Sequence, residues 1–178
     1  MAHRAPIEIV PYDPKWPDRF EAEKAVLLDV FSSVRCWIEH VGSTAVPGLG
    51  AKPIIDIMLG VDRLADVERR ICDLETRGYE YIQRYESEFP ERRLFAKPQQ
   101  RPRHVHLHAV ERSTAFWHSH VLFRDFLRRH VAVAQEYCAL KKRLAAEFGD
   151  DRDGYTNAKT AFIEAAVERA RRELCCPY

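Results

Sequence analysis

The sequence predicts an α/β protein of the α+β kind: a mixed sheet flanked by helices, with a helical C-terminal third. Three observations carry that expectation. The run Ile54-Ile55-Asp56-Ile57-Met58-Leu59 is apolar and β-branched around a single acid and reads as a buried strand. His104 to Glu111 alternates strictly, with His104, His106 and His108 on one face and Val105, Leu107 and Ala109 on the other, which reads as a strand with one polar face. From Ser113 onward, apolar residues recur at helical spacing almost to the C-terminus. At 178 residues the chain fits one domain over 1–178, with a sheet core over about 7–112 and a helical part over about 113–175.

In chain order, Ile7 to Val10 is a short edge strand closed by Pro11 and Pro14. Asp13-Pro14 reads as a helix start, with Asp13 as cap and Pro14 at the first helical position, and Phe20, Leu27, Val30 and Phe31 keep helical spacing to about Ser33. Two strands follow, one ending at Val41 and one over Ile54 to Leu59, separated by a loop rich in turn residues: Gly42-Ser43, Pro47-Gly48, Gly50 and Lys52-Pro53. Leu64 to Arg77 is a second helix, stopped by Gly78. Tyr79 to Tyr85 and Arg92 to Lys97 form a strand pair joined through Glu86 to Glu91, and Pro98 to Pro102 is a polar, mobile loop. After the His104–Glu111 strand, Ser113 or Thr114 caps a helical segment, Val121 to Arg129 continues it, Val131 to Phe148 runs to Gly149, and Tyr155 to Glu173 is the last helix.

Composition narrows the function classes. The charge is nearly balanced, 28 Lys+Arg against 27 Asp+Glu, so no global field favours nucleic acid or a membrane surface. The basic residues cluster locally, at Arg92-Arg93, Lys97 to Arg103 and Arg124 to Arg129, which suits a small anionic ligand. Five cysteines, an odd number without C-x-x-C spacing, argue against a disulfide framework or a cysteine zinc site and make a reducing cytoplasm the expected location. The first six residues lack the apolar core of a signal peptide, and no apolar run approaches the roughly 20 residues of a membrane span.

The chemistry concentrates in two places. Asp56 interrupts an apolar strand, where a carboxylate must be paired, hydrogen-bonded or metal-bound, because an isolated buried charge costs several kcal/mol or more. The Gly42-Ser43 turn facing it offers backbone N–H groups and a hydroxyl to a phosphate, with Lys52 in the same loop. His106 and His108 stand about 6–7 Å apart on one strand face, close enough to share a phosphate or a metal, or to be plain surface residues. Arg124 beside Asp125, and Lys159 after Tyr155-Thr156-Asn157, are either phosphate-binding cations or ordinary surface charges. His118 and His120, near aromatic residues, read as structural, and the absence of G-x-x-x-x-G-K-[ST] leaves P-loop chemistry unsupported.

The stretch Glu39-His40-Val41-Gly42-Ser43-Thr44-Ala45-Val46-Pro47-Gly48-Leu49, followed by Lys52-Pro53-Ile54-Ile55-Asp56-Ile57, resembles the signature of the GrpB family, also called UPF0157. His106-Leu107-His108, Leu122 to Leu127, the Leu140-Lys141 region and Tyr155-Thr156-Asn157-Ala158-Lys159 with Phe162-Ile163 agree in order, so the resemblance runs from about residue 8 to 165. That family is grouped with the nucleotidyltransferases, and related domains occur fused to dephospho-CoA kinase. The resemblance therefore implies a nucleotidyltransferase-like fold, with Gly42 and Ser43 as the phosphate turn and Asp56 as the first magnesium ligand.

In the superfamily pattern a second acid follows at the position of Met58. Two-metal transfer at phosphorus uses ions about 3.5–4 Å apart bridged by carboxylates, and one Asp cannot build that site. The second ligand then comes from Glu39, Glu86, Glu88, His106 or His108, or one metal suffices, or the protein only binds a nucleotide. The leading expectation is a Mg²⁺-dependent nucleotidyltransferase moving an NMP from an NTP, ATP first, to a small acceptor. Lys52, Arg93, Arg124 and Lys159 would hold the triphosphate, and His106 or His108 would contact the acceptor or act as base. The alternatives are a non-catalytic module for a nucleotide or CoA-like ligand and, below that, a His/Asp metal-dependent hydrolase.

Overall fold

The computed structural model describes residues 6–99 and 102–175. Its centre is a five-stranded mixed sheet built from β1 (Cys36–Val41), β2 (Ile55–Val61), β3 (Glu80–Tyr81), β4 (Arg92–Lys97) and β5 (Val105–Glu111) in the order β1-β2-β5-β4-β3. β2 and β5 lie parallel at the middle, and the other pairs are antiparallel. The two central strands have their inward residues covered on both sides, which is why β2 reads as an almost unbroken apolar run.

The two faces of the sheet have different partners. Ile38, Ile55, Ile57, Leu59, Leu107 and Phe95 pack on one face against Trp16, Phe20 and Leu27 of α1 (Trp16–Val30) and against Val67 of α2 (Ala65–Glu68) and Leu74 of α3 (Ile71–Thr76). On the other face Val41, Met58 and Val110 meet Trp117 of α4 (Ala115–Arg129). The fit is close: a β-carbon on Gly60 would come 2.7 Å from the Trp117 ring, so only glycine lets α4 settle there. Each large apolar side chain fully buried in these layers contributes roughly 1.5–3 kcal/mol.

The helical third packs mainly on the loop between β1 and β2. Val46 and Leu49 of that loop join Phe123, Phe126 and Leu127 of α4, Val133, Ala134 and Tyr137 of α5 (Val131–Phe148), and Ala166, Val167 and Ala170 of α7 (Thr160–Cys175). Tyr155 of α6 (Arg152–Asn157) closes a smaller cluster with Ile7 and Leu144. Among the described residues no helix is long and apolar enough to cross a membrane.

Several local expectations are corrected. Ile7 to Val10 is not a strand; Val10 forms one bridge to Ala51, and the Ile7 N–H bonds to the Gly149 carbonyl at 2.9 Å. α1 starts at Trp16 with Pro17 in its first turn, while Asp13 Oδ1 accepts the Lys15 N–H at 2.9 Å just ahead of it. The predicted Leu64–Arg77 helix breaks into α2 and α3, with Arg70 at the break donating to the Val30 carbonyl and to Ser33 Oγ. Of Tyr79–Tyr85 only Glu80–Tyr81 is strand, followed by a 3₁₀ turn over Gln83–Tyr85. Thr114 caps α4 by accepting the Trp117 N–H, and α4 then runs unbroken through the segments read separately. The last helix divides into α6 and α7, and Lys159 sits at the division. Gln100 and Arg101 of the predicted polar loop, and the N-terminal residues 1–5, lie outside the described residues.

Candidate functional site

The site begins where β1 ends. Gly42 has φ of 72°, and a β-carbon there would stand 2.6 Å from Asp56 Oδ2, so glycine permits both the turn and the approach of the backbone to the carboxylate. Ser43–Ala45 form one 3₁₀ turn. Three buried side chains, His40, Thr44 and Arg124, and the exposed Arg128 hold this turn from several sides. His40 Nε2 and Thr44 Oγ1 are 3.0 Å apart, and Thr44 Oγ1 donates to the Ile54 carbonyl, tying the two arms of the loop together. From α4, Arg124 donates to the His40 carbonyl at 3.0 Å and Arg128 to the Ala45 carbonyl at 2.9 Å. His40 is stacked on Phe20 and burial pulls its pKa down to about 4, so it serves as a neutral strut.

At the sheet end, the β2–β5 register sets Asp56 opposite His106, and alternation puts His108 on the same face. Asp56 Oδ1 lies 3.3 Å from His106 Nδ1 and 3.9 Å from His108 Nε2. One donor atom from each of the three falls within 4.8 Å of the other two, the only such group of three among the described residues. Burial lowers the His108 pKa to about 4, against the pull of Asp56. For Asp56 burial works upward, but the bonds and charges of the two histidines outweigh it and hold the carboxyl well below its ordinary range. His120 of α4 reaches the same space; its Nδ1 is 2.8 Å from the Phe116 carbonyl, an acceptor, which makes Nδ1 the protonated nitrogen and leaves Nε2 its lone pair.

The opposite wall is cationic. Lys141 is 2% exposed, and its Nζ donates to Ser43 Oγ at 2.8 Å and to the Gly50 carbonyl at 2.5 Å. Burial lowers its pKa to about 7, lowers Lys159 to about 8, and lowers Lys52. The three ammonium groups rest over aromatic rings, Lys52 and Lys159 on Tyr155 and Lys141 on Tyr137. Among the described residues none of the three has a carboxylate within 4.0 Å. Three lysines with no carboxylate in contact, offset by the longer-range charge of Asp56, give this wall a polarity that suits an anion.

These groups line one cavity of about 390 Å³, with Phe123, Tyr137 and Tyr155 in its walls. The geometry brings Gly42, Ser43, Lys52, Asp56, His106, His108 and Lys159, all candidates from the sequence, into the lining of this cavity. It does not bring in two arginines. Arg93, on β4 next to β5, pairs with Ala109 on the opposite face of the sheet, where it is tied to Glu68 at 2.6 Å and lies 3.8 Å from Glu86. Arg124 is buried between Glu39 at 2.6 Å and Asp125 at 2.7 Å, so it braces the loop and does not line the cavity. The acids proposed as second metal ligands are also elsewhere: Glu39 faces Arg124, Glu86 accepts the Tyr81 hydroxyl, and Glu88 is exposed in the turn before β4. The Met58 position is filled by a fully buried thioether packed with Val41, Val110 and Trp117.

Lys141, Tyr137 and Tyr155 line the site without having been given a role from the sequence, although Lys141 and Tyr155 stand in the family motifs, and His120, read as structural, lines it too. A further signal was available. Val133, Ala134, Tyr137, Lys141 and Leu144 form the buried stripe of α5, and a lysine on an apolar stripe needs a reason to be there.

Residues 6–169 match the family model described as GrpB protein. The chain is 37% identical over 166 residues to the UPF0157 protein YqkA of Bacillus subtilis (strain 168), covering 93% of this chain but 48% of that relative, so it spans about half of YqkA. The crystal structure of GrpB from Enterococcus faecalis superposes with a TM-score of 0.85 at 33% identity, covering 95% of this chain and all of the other. A dephospho-CoA kinase from Mycolicibacterium paratuberculosis is 26% identical over 201 residues, across 94% of this chain and 46% of the kinase.

Proposed function

The chain belongs to the GrpB family, and from that premise we propose that its cavity carries out nucleotidyl transfer from a nucleoside triphosphate to a small acceptor, assisted by a divalent cation. The observation that supports this reading is the polarity of the cavity. A cluster of metal-ligand donors, Asp56 with His106 and His108, faces three lysines that have no carboxylate in contact. A polyphosphate carrying a divalent cation matches both walls at once.

The residues divide the work. Lys52, Lys141 and Lys159 bind phosphate oxygens, and the Gly42-Ser43 turn adds its N–H groups and hydroxyl. As the acceptor oxygen attacks the α-phosphorus and pyrophosphate leaves, the acceptor's hydroxyl proton passes to the free Nε2 of His120. Phe123, Tyr137 and Tyr155 shield these steps from water. Asp56, His106 and His108 would hold the cation, which when bound would offset charge on the phosphates. Magnesium, the expected ion, prefers an all-oxygen shell, and the protein offers it oxygen only from Asp56.

Pyrophosphate release, screened over NTPs, divalent cations and small hydroxyl and amine acceptors, tests the reading. Release that depends on both NTP and acceptor, and that Asp56→Ala abolishes, supports it. A second reading, a nucleotide- or CoA-like-ligand-binding module, draws on the buried Met58 at the second-acid position and on the similarity to a stretch of dephospho-CoA kinase. Saturable ATP or CoA binding without pyrophosphate release from any NTP would favour it.

A further inference from the structure

We infer that Asp56, His106 and His108 form a binding site for one divalent ion of the manganese-to-zinc series, selected over magnesium. The inference deepens the proposed function by naming its ion class, and it rests on the cavity being the functional site.

Ligand chemistry is the first argument. Two imidazoles and one carboxylate suit borderline first-row ions, whereas magnesium takes hard oxygen ligands. Two donors on one such ion, each bonded at about 2.0–2.2 Å, stand no more than about 4.4 Å apart. The Asp56–His106 and Asp56–His108 separations of 3.3 and 3.9 Å satisfy that limit.

Rigidity is the second. All three donors come from the adjacent central strands β2 and β5, in register, and none from a loop. The His106 and His108 rings are set at 87° to each other, so both can present a nitrogen to a common point without stacking.

The third argument is what Asp56 lacks. Among the described residues the only basic side chains within 4.0 Å of it are these two histidines, with no lysine or arginine. A β-carbon at position 42 would meet its Oδ2 at 2.6 Å, and its Oδ1 is the oxygen that faces the imidazoles. The neighbouring side chain on the same strand face, Met58, is sealed under Trp117 and cannot complete an oxygen shell. Asp56 and His106 remain about one-third exposed toward the cavity, so coordination positions stay open for a ligand.

The test uses the full chain, stripped with a chelator and titrated with Co²⁺ in the absence of nucleotide. Expected are one equivalent of Co²⁺ with ligand-field bands in the visible and no thiolate charge-transfer band, which sets the site apart from the cysteines. Zn²⁺ should displace the ion, and a hundredfold excess of Mg²⁺ should not. His106→Ala and His108→Ala should each weaken Co²⁺ binding at least about tenfold, with melting curves confirming that the variants fold. Should they not fold, the Mg²⁺ competition on the unaltered chain decides. Displacement by Mg²⁺, a thiolate band, or Co²⁺ binding unchanged in folded histidine variants would overturn the inference. No Co²⁺ binding, alongside Asp56-dependent binding of Mg-ATP, defeats the inference and leaves the nucleotide reading standing. Co²⁺ binding as expected with no nucleotide binding supports the inference and removes that reading.

Discussion

Gly42 and Asp56 stand against each other across the mouth of the cavity: a β-carbon on the glycine would lie 2.6 Å from the aspartate Oδ2. The turn and the carboxylate therefore share one space, and neither can be moved alone. Gly42→Ala should cost roughly 1–3 kcal/mol for the backbone conformation alone, φ 72° with ψ −171°, with a further loss from displacement of Asp56. The expected outcome is a lower urea midpoint together with at least about tenfold weaker Co²⁺ binding. Intact binding in a destabilised variant would show that the carboxylate position does not depend on the turn.

Lys141 makes stability depend on pH in a defined direction. Its pKa is lowered to about 7 by burial and Lys159 to about 8, against an ordinary value near 10.5. Between the folded and unfolded values the unfolded chain binds more protons, so these groups make unfolding free energy rise with pH across that window, by at most about 1.4 kcal/mol per pH unit per group. Lys141→Met should flatten this slope between pH 7 and 9 in urea titrations. It should also weaken sulfate binding.

Sulfate stays fully ionised across this range, so it isolates the protonation of the lysines. Binding of sulfate near pH 8 should take up protons, because an anion in the cavity restores the charged form of Lys141 and Lys159. Near pH 6 both are already charged and the uptake should vanish. Calorimetry in buffers of different ionisation enthalpy measures this directly.

The two arginines should behave differently. Arg124 is 7% exposed and donates to the buried His40 carbonyl, while its partners Glu39 and Asp125 are themselves about two-fifths exposed, so Arg124→Met should cost about 1–3 kcal/mol, chiefly by leaving that carbonyl without its donor. Arg93→Met, on the opposite face of the sheet from the cavity, loses ion pairs to the partly exposed Glu68 and Glu86, with an expected cost of about 0–1 kcal/mol and unchanged sulfate binding. Thermal melts and sulfate titrations on both variants check this.

How far the sequence could be read follows from how local each determinant is. The loop, Asp56 and the face shared by His106 and His108 were legible because turn chemistry and strand alternation are properties of neighbouring residues. The union of Asp56 with the histidines was not, since it depends on β5 lying parallel to β2 in a register set by a long crossover. Arg93, Arg124 and Lys159 looked alike as candidate phosphate-binding cations; only the tertiary structure shows that two are paired with acids and one is not. The helix boundary at α2–α3 failed for a related reason, as the apolar spacing continues through a break held by Arg70's contacts with Val30 and Ser33, distant in sequence.

The loop between β1 and β2 is pinned by helices that come much later in the chain, and this orders the events of synthesis. The imidazole–carboxylate end is complete once β5 has joined β2, whereas the ammonium end waits for α5 and the α6–α7 junction. On the proposed function, a nascent chain would thus have its cation-binding half before its anion-binding half and become competent for a phosphate ligand only when its last helices dock.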